Sequence, residues 1–168
     1  DRFISINSSP SKGNLPNNTV NCIVEDKDGE LWIGTDEGIG VIYSVESMFE
    51  ANADEVQRII VNQDGYNGYL FASDAVITIT IDGANRKWVG PRGAGLFLIS
   101  KDGQQQLEHF TEGDSPLLND NILDLVLHPS TGELFIATES GLQSYRTDAS
   151  EPAESLSSIR VFPNPVKP

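Results

Sequence analysis

The chain has 168 residues, 38% of them hydrophobic, and a formal charge of −14 from 25 acidic and 11 basic side chains. That charge disfavours non-specific nucleic-acid binding, which depends on lysine and arginine neutralising phosphates, and it disfavours docking on anionic lipid through a basic patch. No run of roughly 18 apolar residues occurs, so no membrane-spanning helix is expected in this segment, and the single Cys22 allows no internal disulfide.

In chain order, the first expected strand is the short run Phe3-Ile4-Ser5-Ile6. A strand at Val20 to Glu25 follows, then a turn at Asp28-Gly29, and then a strand carrying Trp32 and ending at Gly34. A third strand begins at Gly40 and runs through Tyr43. The stretch from Val45 to Gln57 is the one helix-like patch, in which Met48, Phe49 and Val56 could pack a short turn onto the connection that follows. The same order then returns: Arg58 to Val61, Val76 to Ile81, a turn at Asp82-Gly83, a strand carrying Trp88 and ending at Gly90, and Gly95 to Ile99. A third, more worn copy holds Leu107 to Phe110, Ile122 to Leu127, a turn at Thr131-Gly132, a strand carrying Phe135 and ending at Ala137, and Gly141 to Tyr145. Trp32 and Trp88 stand 56 residues apart, and Phe135 lies 47 beyond Trp88.

Self-similarity at this period means one supersecondary unit repeated. Runs rich in β-branched residues, bounded by Asp, Gly and Asn, read as strands, and the turn residues tolerate the positive φ that short hairpins need. The first strand of each copy is apolar on both faces, most plainly in Val76 to Ile81 and Ile122 to Leu127, so each small sheet should be covered on both sides. Four-stranded antiparallel sheets stacked face to face are blades of a β-propeller. The expectation is an all-β partial propeller of three four-stranded antiparallel blades in residues 1–147. A polar linker at residues 148–158 should follow, and then either a closing strand or the start of a C-terminal β-sandwich at residues 159–168. Sequence repeats should be offset from blades, so that Phe3 to Ile6 is the outer strand of a preceding blade and Ile159 to Phe162 completes the last one. Terminal blades would expose apolar faces and strand edges, which invites self-association or membership of a longer folded chain. A start at Asp1 without methionine and an end inside Phe162 to Pro168 point to a piece of a larger protein.

Candidate sites each compete with a structural role. Gly38-Ile39-Gly40 and Gly93-Ala94-Gly95 lack the third glycine and the helix of a dinucleotide fingerprint, which leaves them as punctuation between strands. Asp26-Lys27-Asp28-Gly29-Glu30 has the alternating acids of a calcium loop, but Leu31-Trp32-Ile33 is a strand where such a loop needs a helix with a closing glutamate. The second copy retains only Asp82 and Asn85, so a hairpin turn is expected. His109 and His128 have no metal-ligand spacing with each other or with Cys22. No nucleophile elbow, Cys/His couple or acid–base pair is patterned. No catalytic residue, metal or cofactor is therefore expected. Trp32, Trp88 and Cys22 read as core, the tryptophans between blades.

The run Asn17-Asn18-Thr19-Val20 through Glu25-Asp26-Lys27-Asp28-Gly29-Glu30-Leu31-Trp32-Ile33-Gly34-Thr35 resembles the two-component-regulator propeller repeat, common in periplasmic sensor regions of hybrid histidine kinases. The lead-in of that repeat stands again from Phe110 to Ile122. The tail Ile159 to Pro168, with its Phe-Pro-Asn-Pro, resembles the opening of C-terminal domains of proteins associated with type IX secretion. Together with Asp64-Gly65-Tyr66 and the turn from Asp82 to Trp88, it is similar to propeller-containing surface components of that machinery. The resemblance implies an exported, non-catalytic protein at the outer-membrane surface or in the periplasm. Its partners would be secretion-machinery proteins or the glycan of lipopolysaccharide. The alternative it leaves open is the ligand-binding sensor region of a hybrid two-component kinase.

Overall fold

The computed structural model describes residues 3–49, 56–63 and 66–148. Thirteen strands occur among them: β1 Val20–Glu25, β2 Leu31–Thr35, β3 Gly38–Ile42, β4 Gln57–Arg58, β5 Ile60–Gln63, β6 Tyr66–Tyr69, β7 Val76–Ile81, β8 Lys87–Pro91, β9 Leu96–Ile99, β10 Gln106–Phe110, β11 Ile122–Leu127, β12 Glu133–Thr138 and β13 Gly141–Arg146. They form two four-stranded sheets, β1-β2-β3-β4 and β10-β9-β8-β7, a three-stranded sheet β11-β12-β13 and the hairpin β5-β6, all antiparallel. The three larger sheets are blades one, two and three. Strand β7 lies between β1 and β11, so the first strands stack in chain order.

Each first strand breaks register after its opening residue, between Val20 and Cys22, between Val76 and Thr78, and between Ile122 and Asp124. A bulge at the same place in three copies is a property of the unit, re-aiming the strand where it enters the sheet. Two clusters fill the spaces between blades. Trp32, Ile39 and Val41 of blade one meet Val76, Ile79, Val89 and Ile99 of blade two. Trp88, Leu96 and Leu98 of blade two meet Ile122, Leu125, Leu134 and Ile136 of blade three. A third cluster, of Leu15, Ile33, Ile42 and Val56 with Val45 and Met48 against it, covers the far face of blade one. The lead-in leucines Leu15, Leu70 and Leu117 are all buried, each in the cluster on the preceding side of its own blade.

Glycines set the spacing. A Cβ on Gly34 would stand 2.9 Å from Val76 Cγ1, and one on Gly90 would stand 2.8 Å from Ile122 Cβ. The close approach of each blade to the first residue of the next therefore requires a residue without a side chain.

Several expectations are corrected. Phe3 to Ile6 forms no strand; no strand among the described residues pairs with it, and Phe3 is almost fully exposed. Arg58 to Val61 is not one strand but two pieces, β4 on blade one and β5 in the hairpin, divided at the buried Ile59. The offset between repeats and blades is present, since β4 and β10 are outer strands of the blades that precede them in the chain. Blade three has three strands among the described residues, and Ile159 to Phe162 lie outside them. Full two-sided cover holds for β7 only, because Val20 and Ile23 of β1 and Leu123 and Val126 of β11 are exposed. Among the described residues the helix-like patch contributes one 3-10 turn, Glu46–Phe49, and Met48 and Val56 pack on the far face of blade one instead of on the connection that follows.

Candidate functional site

The β1–β2, β7–β8 and β9–β10 turns meet at one end of the first junction. Asp26, Lys27, Asp28, Gly29 and Glu30 form the β1–β2 turn, in which Asp26 Oδ1 accepts from the backbone N–H of Asp28 at 2.9 Å and of Glu30 at 3.0 Å. The β7–β8 turn repeats this, with Asp82 Oδ1 accepting from Ala84 at 2.9 Å and Arg86 at 2.8 Å. A short acid that caps its own turn is the physical reason for aspartate there. Left-handed backbone falls at Gly29 (φ 82), Asn85 (φ 62) and Gly132 (φ 68), so in the second copy Asn85 takes the strained position expected of Gly83. Asparagine tolerates that conformation, and here its amide bridges the junction: it donates to Asp26 Oδ2 at 3.2 Å and Asp28 Oδ2 at 3.1 Å and accepts from Lys27 N–H at 3.0 Å.

The turn that resembled a calcium loop is thus filled by protein groups. Lys87, with no exposed surface, donates to Asp26 Oδ2 at 2.8 Å, to Asn85 O at 3.1 Å and to Lys101 O at 2.6 Å. Its ammonium also sits 4.3 Å from the centroid of Trp32. Burial pushes the Asp26 carboxyl up, but the Lys87 hydrogen bond and the two backbone N–H groups outweigh it and hold the group below its usual value. Burial and the neighbouring Asp26 charge push Glu30 up. Outside, Lys101 Nζ pairs with Asp28 at 2.9 Å. Sequence reading had no signal for this network, because a lysine two residues after an asparagine and one before a tryptophan looks like any strand edge.

At the second junction, Leu134 stands where Lys87 stands at the first, immediately before the aromatic. Asp82, whose side chain is fully buried, is paired instead with Arg86 of its own turn at 2.6 Å, and Arg86 reaches on to Asp148. The other singled-out residues are found in packing and backbone contacts. Trp32 and Trp88 are 1% exposed. Burial raises the Cys22 thiol to about 11, which disfavours the thiolate. His109 bonds Ala94 O at 2.8 Å and stacks on Phe97, and His128 closes the β11–β12 turn through its backbone. Gly38 and Gly95 take left-handed turns between strands. Among the described residues no group of His, Cys, Asp and Glu is arranged to hold a metal ion.

The sequence also gave no warning of the hairpin β5-β6, which occupies most of the extra length between the first and second aromatic strands. Between it and the β9–β10 edge runs a groove floored by Phe71 and Phe97, flanked by Tyr69, Asn62 and Gln105, with Asp74 as its carboxylate. Arg58 stacks on the Tyr69 ring at 4.3 Å. The groove offers ring faces and amides, with the Ser73 hydroxyl next to Asp74 in the lining.

A family model for the two component regulator propeller matches residues 14–37. The structure of PorZ, described as an essential bacterial surface component of the type-IX secretion system of Porphyromonas gingivalis, is 31% identical over 97% of this chain, with a TM-score of 0.78. The extracellular domain of a protein described as a hybrid two component system, from B. thetaiotaomicron, is 26% identical over 80% of this chain, with a TM-score of 0.61. A structure described as a gluconolactonase, at 15% identity and a TM-score of 0.52, shares the fold alone. This chain spans 22% of the PorZ structure and 16% of the two-component domain. No curated protein matches the sequence. The chain is an all-β propeller segment that carries a two-component regulator propeller repeat and is similar to PorZ over nearly its whole length.

Proposed function

We propose that this segment is the non-catalytic propeller part of an exported, type IX secretion-associated surface protein. In this reading residues 148–158 link it to a β-sandwich that begins at residues 159–168. Its task is to recognise a partner protein of the secretion machinery or a lipopolysaccharide glycan. The observation that carries the reading is the 31% identity to PorZ across 97% of the chain. The chemistry of the groove supports recognition: rings and amides dominate it, and Asp74 has no acid–base companion among the residues that line it. The charge of −14 favours a protein or a neutral stretch of glycan over a strongly anionic one.

A second reading, the sensor region of a two-component kinase, draws on the 26% identity to the B. thetaiotaomicron domain. One experiment separates them. In the encoding bacterium, the three blades are deleted in frame from the gene, and both surface display of secreted cargo and the transcriptional response to added glycans are recorded. Loss of cargo display with an intact response is the expected result. Intact display with a lost response assigns the segment to sensing and overturns the secretion reading.

A further inference from the structure

We propose that the groove between the hairpin β5-β6 and the β9–β10 edge binds the guanidinium of an arginine presented by a partner protein. The inference rests on the partner-recognition reading above and narrows it to one contact chemistry. The cavity has a volume of about 670 Å³, within the range of sites that take a defined ligand. Tyr69, Phe71 and Phe97 bring rings to its lining, and Asp74 is its one carboxylate. No lysine, arginine or histidine stands among the described residues that line it. A cation over an aromatic face is attracted by the ring quadrupole, and the carboxylate supplies the counter-charge. The chain already makes one such contact at the groove's rim, where Arg58 lies 4.3 Å from the centroid of Tyr69.

Blade packing does not account for these rings. At the second junction Leu118 and Gln143 follow the same repeat positions as Phe71 and Phe97, and there the Leu118 N–H donates to Gln143 Oε1 at 3.1 Å. The first junction instead sets Phe71 edge to face on Phe97, with centroids 5.1 Å apart. Phe71 does so from φ 54, a left-handed backbone that bulky residues rarely adopt. Strain of that kind persists only where the surroundings impose it, and it gathers at ligand sites. A tight turn imposes it here: Ala72 N–H donates to Tyr69 O at 3.1 Å and Asp74 N–H to Phe71 O at 3.0 Å, so ring and carboxylate are fixed together. Arginine fits better than lysine, because its planar guanidinium stacks on rings and its five N–H groups can be shared between Asp74 and the side-chain carbonyls of Gln104 and Gln105. The net charge of −14 draws a cationic partner toward the site, and a neutral sugar would leave the Asp74 charge unused.

The test is NMR shift mapping of backbone amides on the 168-residue chain, in about 0.15 M salt to screen the general acidic surface. The probes are N-acetyl-arginine amide and its neutral isostere, N-acetyl-citrulline amide. The expected result is saturable shifts at residues 69–74 and 104–106 with the arginine probe and none with the citrulline probe. Asp74→Asn and Phe71→Asn should each weaken binding by about tenfold. Asparagine tolerates the left-handed backbone, so Phe71→Asn removes the ring without opposing the turn; if it still fails to fold, the exposed Asp74→Asn carries the comparison. No response to arginine, equal responses to both probes, shifts spread over the acidic surface, or binding that survives both substitutions overturns the proposal. So does saturation of the same residues by glucose where arginine gives nothing. A negative titration beside cargo display that is lost on blade deletion overturns the arginine site alone and leaves the recognition reading intact. A positive titration beside unimpaired display supports the arginine site and counts only against the secretion role.

Discussion

The junction between blades one and two and the junction between blades two and three set the same repeat positions against each other, yet close in different ways. At the first, Lys87 crosses from blade two to the turn of blade one and is fully enclosed with Asp26, Asn85 and Trp32. At the second, Leu134 stands in its place, and Asp82 keeps its charge satisfied within its own turn through Arg86. One residue decides whether the acid of the preceding turn pairs across the junction or along it. A buried pair of this kind adds less stability than its contacts suggest, because both ions lose water, but losing one partner strands the other. The first junction is therefore the more demanding of register, and the second the more tolerant.

The largest effects should come from the aromatics. Trp88→Ala removes packing alone and should cost about 3–5 kcal/mol. Trp32→Ala should cost more than Trp88→Ala, because it also exposes the Lys87 ammonium; denaturant unfolding of both variants reads the difference, and equal costs would break the distinction between the junctions. Next come the close approaches. Gly90→Ala should cost about 1–3 kcal/mol by overpacking, since its new methyl meets the β-branched Ile122 at Cβ. Gly34→Ala should cost at least as much, because its methyl would stand 2.5 Å from Cys22 Sγ and 3.0 Å from the backbone carbonyl oxygen of Val76, whereas the methyl on Gly90 meets side-chain atoms alone. A thermal-melt comparison ranks the two.

A smaller effect is the pH dependence of the first junction. The Asp26 carboxyl is depressed in the folded chain. Its contribution is present above the unfolded value of about 4 and is lost as pH falls through the folded value. Asp26→Asn should flatten the acid side of the stability profile, and Asp82→Asn, measured the same way, shows how much of any flattening is peculiar to the junction-crossing acid.

Much of this architecture was legible in the sequence because it is repeated. Three aromatics at matching places, the glycines after the first two and the β-branched runs apolar on both faces encode the blade, its stacking and even the offset of the outer strands. What was not legible lies where the copies differ. The hairpin β5-β6 hides in a longer spacing whose residues look like ordinary strand and turn. Phe3 to Ile6 has the composition of a strand, but strand formation needs a partner that composition does not supply. Lys87 gives no local sign of burial, since its enclosure depends on Asn85 turning left-handed and on a blade 61 residues away in pairing distance. For the same reason the candidate groove, built from the hairpin β5-β6 and the β9–β10 edge of blade two, had no motif to announce it.

The most direct test of the claim that Lys87 ties the two blades together is a double-mutant cycle of Asp26→Asn and Lys87→Met, followed by urea unfolding. Each single substitution should be destabilising, with Asp26→Asn costing about 3–5 kcal/mol because it leaves a buried cation without its counter-charge. The double variant should recover most of that loss, giving a coupling on the order of 1–3 kcal/mol. Additive losses, with no recovery in the double variant, would mean that the two charges do not share one enclosed site and would contradict the account.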